Sequence, residues 1–523
     1  MTVKSNKNLR ALLEEQAANK GEKTFLFSEA DGRRWTYSEF DKAVNRAANM
    51  LTGNGTKKGD VVSLLLPNSA EYIIAYFACW KTGALAGPVN SLLKPDEIAF
   101  ALRHSEAKML LVNSRFQNAV DEIRNDLPHL QMVVGFDNAA KATEGFTSEN
   151  PPEIALEKTD EAIIIYTSGT TGKPKGCLLT HANLIANAKQ ITEWLDFNET
   201  DRLLTIMPLF HMNAVSVTTL TALYAGASTV VSPKFSASKF WQIIEDYKIT
   251  SFGSVATMLS MLLQKSGRWS VVSGQFENRK PETGNRKPES LRFAMCGSAP
   301  VPLEVLRKFE KTFGCLVIEG YGLSESTCRS TFNPPNENRR AGSCGKPIGN
   351  EMKIFDANDR EVSANELGEI VLRGENIFKG YFKNETATEK AFQNGWFHTG
   401  DIGYEDADGF FYIADRKSDM IIRGGENIYP REIDELLYTH PAIESAAVIG
   451  VPDELYGESV AAFIVLKKGE TASEEDLINF CKKHLADYKC PETFRFVKDI
   501  PKGATGKLLK RKLARIYKQN KEV

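Results

Sequence analysis

The stretch IIIYTSGTTGKPKGCLLTH, Ile163 to His181, sets an apolar run against a loop of small hydroxylated residues, glycines and lysines. A P-loop requires GxxxxGK followed by Ser or Thr. Here Gly169 and Gly172 are three apart and Lys173 precedes Pro174, so the hydroxyl that holds magnesium in a Walker site is missing from its place. The loop nevertheless has the chemistry of an anion cradle. Gly169, Gly172 and Gly176 let backbone N–H groups approach a ligand closely. Thr167, Ser168, Thr170 and Thr171 add hydroxyl donors, and Lys173 and Lys175 add positive charge. The apolar run reads as a strand, and a helix is expected to start near His181.

Outward from this loop, strand-like and helix-like patterns alternate. VVSLLLP (Val61 to Pro67) is a continuous apolar run, as in a strand buried on both faces. Ser69 is a suitable N-cap for the helix that follows, and a further helix is expected from Pro95 to about Ser105. KMLLVN, LLTIMP, STVVS, ITSFGS, LRFAMCG and CLVIEGYG continue the rhythm. This predicts an α/β fold with two doubly wound parallel sheets. From about Gly345 the strands shorten and turn residues multiply, as in an antiparallel, barrel-like subdomain. After Asp415 a small α+β style begins. The expected division is a large domain over 1–416 and a mobile C-terminal domain over 417–523. The tandem NRKPETG (Asn278 to Gly284) and NRKPESL (Asn285 to Leu291) reads as a surface insertion.

The chain has 523 residues, too many for one core. Its net charge of −2 gives no basic footprint for nucleic acid. The 8 cysteines contain no CxxC pair and the 7 histidines no HxxxH spacing, which argues against structural zinc or a disulfide framework. Scattered thiols suit a reducing compartment. The N-terminus lacks an apolar h-region, and no apolar run reaches membrane-spanning length. The longest, YIIAYFACW (Tyr72 to Trp80), reads as a buried helix. A cytoplasmic enzyme is expected.

CGSAP (Cys296 to Pro300) and EGYGLSES (Glu319 to Ser326) each follow an apolar strand, so both should face the crevice beyond the strands' carboxyl ends. With WFHTGD (Trp396 to Asp401), DRKSD (Asp415 to Asp419), IIRGGENIYP (Ile421 to Pro430) and PKGATGKLLK (Pro501 to Lys510), these segments and YTSGTTGKPKG resemble the motif set of the acyl-adenylate-forming superfamily. That superfamily includes acyl- and aryl-CoA synthetases, adenylation domains of peptide synthetases, and beetle luciferases. The resemblance spans nearly the whole chain and is nearest to fatty-acid and carnitine/crotonobetaine CoA ligases.

The resemblance implies roles position by position. The loop from Thr167 to Lys175 would cover the β- and γ-phosphates of ATP. Gly297, Ser298 and Ala299 would carry adenine, and Glu319, Gly320, Tyr321 and Gly322 would complete the nucleotide pocket, Tyr321 by stacking. Ser324, where relatives commonly have Thr, would meet the α-phosphate. Glu325, with Thr167, would hold Mg2+. Asp401 and Arg416 would bind ribose, with Ile413 beside them. Lys507 would be the catalytic lysine that bridges carboxylate and α-phosphate. Arg423, Gly424, Gly425 and Glu426 would line the coenzyme A channel, and Ser418 stands at the hinge, where relatives usually have Asp or Lys.

His211, Val215, Ser254, Val255, Gly297 and Leu323 would line the acid pocket, mainly small and apolar and without a fixed charge. Such a pocket suits an aliphatic or compact aromatic acid. His211 would position substrate, since a carboxylate nucleophile is ionised at pH 7 and needs no base. The expected function is a two-step acid:CoA ligase using ATP, Mg2+ and coenzyme A, with a homodimer left open. Loading of a carrier-protein thiol is the alternative, disfavoured because no carrier domain follows the small domain. A luciferase-like oxygenase and a non-catalytic sensor are further from the pattern, since Glu325 and Lys507 are both present.

Overall fold

The computed structural model describes residues 8–167, 174–266, 287–297, 301–424, 426–453, 455–503 and 508–519. Two 7-stranded sheets form most of it. In one, the parallel strands Val61–Leu65, Leu85–Pro88, Met109–Val112 and Met132–Gly135 lie side by side. Every residue of Val61–Leu65 is buried, Ser63 included, as in a strand covered on both faces. The helix Ala70–Thr82 is buried along its whole length. The Ser69 hydroxyl caps it by accepting the Tyr72 N–H at 3.3 Å, and Gly83, at φ 66°, turns the chain out of it. Lys81 is carried into this core because its ammonium reaches Asp41 and Asn45, each at 2.6 Å.

The signature loop sits in this sheet differently from the expected strand-to-helix turn. The strand Glu161–Thr167 is followed by a second strand, Lys175–Thr180, paired antiparallel with it so that Thr167 lies opposite Lys175. The helix then begins at His181, where it was expected, and runs to Trp194 with Thr180 as its cap. The strands on either side of the loop therefore form an antiparallel pair.

The other 7-stranded sheet runs Leu316–Glu319, Phe293–Cys296, Ser251–Ser254, Arg202–Thr205, Ser228–Val231, Thr24–Ser28 and Arg34–Thr36. All neighbours are parallel except the last pair. The N-terminal hairpin thus joins this sheet before the chain builds the other. Between two of its strands, Asn213–Leu220 is wound as a buried π-helix, in which Thr219 and Thr221 hydroxyls donate to the carbonyls of Ala214 and Ser216 at 2.8 and 2.9 Å.

A 5-stranded antiparallel sheet follows, containing Glu351–Phe355, Gly368–Arg373, Trp396–Glu405 and Phe411–Arg416. The next strand, Ile421–Arg423, belongs to the C-terminal sheet, whose centre is the long pair Ile443–Asp453 and Gly457–Leu466. The helices Pro430–Tyr438 and Glu474–His484 pack their apolar stripes on it through Ile433, Leu437, Leu477 and Cys481. Among the described residues, no helix is long and apolar enough to cross a membrane.

Candidate nucleotide and acid site

A cleft of about 520 Å³ opens where the carboxyl ends of Phe293–Cys296 and Leu316–Glu319 meet the antiparallel sheet and the C-terminal part of the chain. Gly297, Gly320 and Gly322 form one wall. Their lack of side chains is required by packing. A Cβ on Gly322 would stand 2.1 Å from the Cys328 carbonyl oxygen, and one on Gly320 would stand 2.6 Å from that of Thr331. Backbone atoms cannot step aside, so Gly322→Ala should destabilise the fold by about 1–3 kcal/mol, read in denaturant or thermal melts. An unchanged melt would show that the segment around Cys328 yields.

On the cleft wall, Asp401 is 3% exposed. The Tyr321 hydroxyl donates to its Oδ2 at 2.6 Å, and Arg416 Nε lies 3.1 Å from Oδ1. Asp401 and Arg416 face each other across adjacent antiparallel strands, which fixes the pair. An ionised carboxylate has about four acceptor positions, so both oxygens retain capacity for further hydroxyl donors. Ile413 lines the same wall.

Glu325 is buried at the start of a short 3₁₀ turn. Its Oε1 accepts the Tyr381 hydroxyl at 3.0 Å, and burial raises its carboxyl above the ordinary range. The Lys175 ammonium sits 4.8 Å from the centre of the same Tyr381 ring. One tyrosine therefore links the hairpin to Glu325. A hard oxygen ligand beside a cationic hairpin suits a magnesium ion that draws its remaining ligands from phosphate and water.

Glu319 ends its strand inside the cleft wall and accepts the Gly342 N–H at 2.9 Å. Burial pushes its carboxyl up to about 7 from 4.5. Folded protein therefore keeps a proton that the unfolded chain releases near pH 4.5. Its contribution to stability is complete below that pH and falls as pH rises towards about 7. Glu319→Gln should remove this part of the decline between pH 4.5 and about 7, seen as a flatter profile of melting temperature. A profile parallel to wild type would refute the assignment.

Other expected site residues lie elsewhere. His211 is half-buried, its buried Nε2 lacks a hydrogen-bond partner among the described residues, and burial pushes its pKa down to about 4. It is neutral at pH 7. Val215 is buried in the π-helix, and Val255 is buried just beyond the strand Ser251–Ser254. The Ser254 hydroxyl is committed to the Met295 carbonyl at 2.9 Å. Leu323 and Ser324 are half-buried at the turn before Glu325. Of the expected acid-pocket residues, Gly297 is the one on the cleft wall.

Arg423, Gly424 and Glu426 lie in a separate hairpin, where Arg423 donates to the Tyr488 carbonyl at 2.9 Å and pairs with Glu492. Ser418 is exposed, and its hydroxyl meets Asp419 at 3.1 Å. Ser168, Gly169, Thr170, Thr171, Gly172, Lys173, Ser298, Ala299, Gly425 and Lys507 lie outside the described residues, as does most of the tandem repeat.

The structure adds residues to which the motifs gave no role. Behind the Gly297 wall, Arg329 Nη2 stands 2.6 Å from where a Cβ of Gly297 would be. A lone arginine in the neutral stretch STCRSTFNPPN was the available signal. Arg431 Nη1 donates to the Ile413 carbonyl and its backbone N–H to Asp415 Oδ2 at 2.9 Å, tying the C-terminal part to the antiparallel sheet. Lys510 pairs with Asp434 at 3.1 Å, both on the cleft wall.

Residues 13–382 match the family of AMP-binding enzymes, and 432–507 match the AMP-binding enzyme C-terminal domain. The chain belongs to the AMP-binding enzyme family, within the adenylate-forming superfamily. It is similar to a sulfoacetate–CoA ligase of Cupriavidus necator, 34% identical over 97% of both chains. A crotonobetaine/carnitine–CoA ligase of Escherichia coli is 33% identical, over 98% of this chain and 100% of its own. The solved anthranilate CoA ligase in complex with anthranoyl-AMP superposes with a TM-score of 0.89 at 30% identity, over 100% of this chain and 99% of its own. More narrowly, the chain is an AMP-forming acid:CoA ligase that uses ATP, Mg2+ and coenzyme A and proceeds through an acyl-AMP. Loading of a carrier-protein thiol is not favoured.

Proposed function

We propose that the cleft performs both half-reactions in turn, with the division of residues that the motifs suggest. The carrying observation is the Tyr321–Asp401–Arg416 arrangement, which sets a carboxylate acceptor on the wall of a cleft that glycine backbone also lines. Asp401 and Arg416 take ribose, Gly297 and Gly320 to Gly322 take the adenine and α-phosphate side, and Glu325 with Thr167 holds the cation. Bound magnesium supplies neutralisation of the phosphate charge. The hairpin from Thr167 to Lys175 covers the outer phosphates, and Ser324 donates to the α-phosphate.

In the first step a carboxylate oxygen bonds to the α-phosphorus and pyrophosphate leaves. Both reactants are anions, so a lysine at their meeting point stabilises the transition state. Lys502 and Leu508, which flank the segment bearing Lys507, line the cleft, while the Arg423–Glu426 hairpin is held away from it. This supports Lys507 acting in adenylation, followed by rotation of 417–523 about Ser418 that exchanges it for Gly424 and Gly425. Coenzyme A thiolate then attacks the acyl carbon and AMP leaves. A moving domain lets one cleft serve two incompatible constellations.

The acid is an aliphatic or small aromatic carboxylic acid. Similar ligases are named for sulfoacetate, for crotonobetaine or carnitine, and for anthranilate, so overall likeness does not fix it. The 8 cysteines are all free, which fits a reducing, cytoplasmic location. The test is a panel of carboxylic acids with ATP, Mg2+ and coenzyme A. AMP, pyrophosphate and thioester should form in equal amounts with at least one acid; ADP in place of AMP would overturn the reading.

A further inference from the structure

Arg329 is 1% exposed, yet its Nε and Nη2 have no hydrogen-bond partner among the described residues. Nη1 donates to the adjacent Cys328 carbonyl at 3.2 Å, and the guanidinium lies 5.5 Å from the Phe332 ring centre. These contacts do not compensate the burial of a full positive charge, which ordinarily requires an anion. The backbone holds the residue firmly: Arg329 N–H donates to Asn187 Oδ1 at 3.3 Å, and its carbonyl accepts Asn187 Nδ2 at 2.6 Å. Its head lies behind Gly297 on the cleft wall, in the space a side chain there would fill.

A further unpartnered side chain starts the π-helix that packs on the same sheet. Both amide atoms of Asn213 are buried without partners, and its Oδ1 stands 2.5 Å from where a Cβ of Gly253 would be. Gly253 is in register with Met295, two residues before Gly297. The Ser330 hydroxyl and His211 Nε2 are also buried and unpartnered. Native proteins leave few such groups, and those that persist mark a ligand or an ordered solvent site.

We infer that Arg329 reads a second anionic group on the acid, so that the preferred substrates carry a carboxylate or sulfonate at the end opposite the carboxylate that is activated. This rests on the ligase reading above. The reacting carboxylate is consumed in the mixed anhydride, whereas the second anion persists through both half-reactions. A fixed guanidinium pairs with it through two parallel N–H bonds, which a neutral tail cannot satisfy. A site built for a polar group rejects an analogue lacking it, because its own buried donors are left unpaired.

The experiment measures acid-dependent pyrophosphate release by the full-length protein with pairs of acids matched in length, one with a methyl end and one with a carboxylate or sulfonate end. Wild type should show kcat/KM at least a hundredfold higher for the anionic-ended members. Arg329→Leu should lose at least a hundredfold on these and hold or gain on the methyl-ended ones, and Arg329→Lys should fall between. Inversion of that ratio is not produced by a merely structural role. Preference of wild type for methyl-ended acids would overturn the inference and leave the ligase reading standing. An equal loss by Arg329→Leu on both series would overturn it too. No pyrophosphate from any acid would remove both readings together.

Discussion

Lys507→Ala should lower acid-dependent exchange of pyrophosphate into ATP by about 10²–10³-fold, equivalent to roughly 3–4 kcal/mol of transition-state stabilisation. In adenylation two anions meet, and negative charge spreads over the α-phosphate oxygens as the P–O bond to pyrophosphate breaks. A preorganised ammonium group acts on that charge only in this step. The same variant, supplied with acyl-AMP and coenzyme A, should form thioester at close to the wild-type rate. The contrast between half-reactions carries the meaning, because a general loss of folding would lower both. Equal losses would show that Lys507 does not divide the labour as proposed.

Asp401→Ala should reduce kcat/KM for ATP about a hundredfold or more. Hydrogen bonds to an ionised carboxylate contribute roughly 1.5–3 kcal/mol each, and the two ribose hydroxyls are its proposed donors. The substitution also strips the Tyr321 hydroxyl of its acceptor and Arg416 of its counter-charge. Arg416 is 36% exposed at its side chain and can turn to water, so that part of the cost is small. The tyrosine hydroxyl should account for about 1–3 kcal/mol of lost stability. Asp401→Asn separates the effects, since its amide oxygen still accepts from Tyr321 but carries no charge. It should recover most of the melting temperature and little of the ATP affinity. Restoration of both would mean that Asp401 serves the fold and not the nucleotide.

The parts of the fold legible in the sequence were those set by local pattern. Val61–Leu65 is apolar but for Ser63 and buried at every position, and Ser69 and Gly83 bracket a helix by capping chemistry that needs no tertiary context. The change of style after Gly345 marked antiparallel strands because alternation and turn residues are also local. Placement of the strand Thr24–Ser28 in the far sheet was not legible, since nothing within that segment records its partner Ser228–Val231. The helix start at His181 was legible, but the strand Lys175–Thr180 before it was not, because its mixed composition does not announce a strand. Motif spacing brought Tyr321 and Asp401 under suspicion separately, but the 2.6 Å bond between them spans 80 residues. Arg329 escaped for the opposite reason: it lies outside the motifs, and its meaning comes from burial and lack of partners, which composition cannot show.

The most direct test of the central claim follows one oxygen atom. An acid that is turned over, labelled with oxygen-18 in its carboxylate, is converted to thioester with ATP and coenzyme A, and the products are weighed by mass spectrometry. Attack of the carboxylate on the α-phosphorus, followed by thiolysis of the acyl carbon, leaves the bridging oxygen on AMP. Each thioester formed should therefore be matched by an AMP carrying a labelled phosphate oxygen, with pyrophosphate unlabelled. Label in inorganic phosphate, or thioester formed with unlabelled AMP, would contradict an acyl-AMP intermediate.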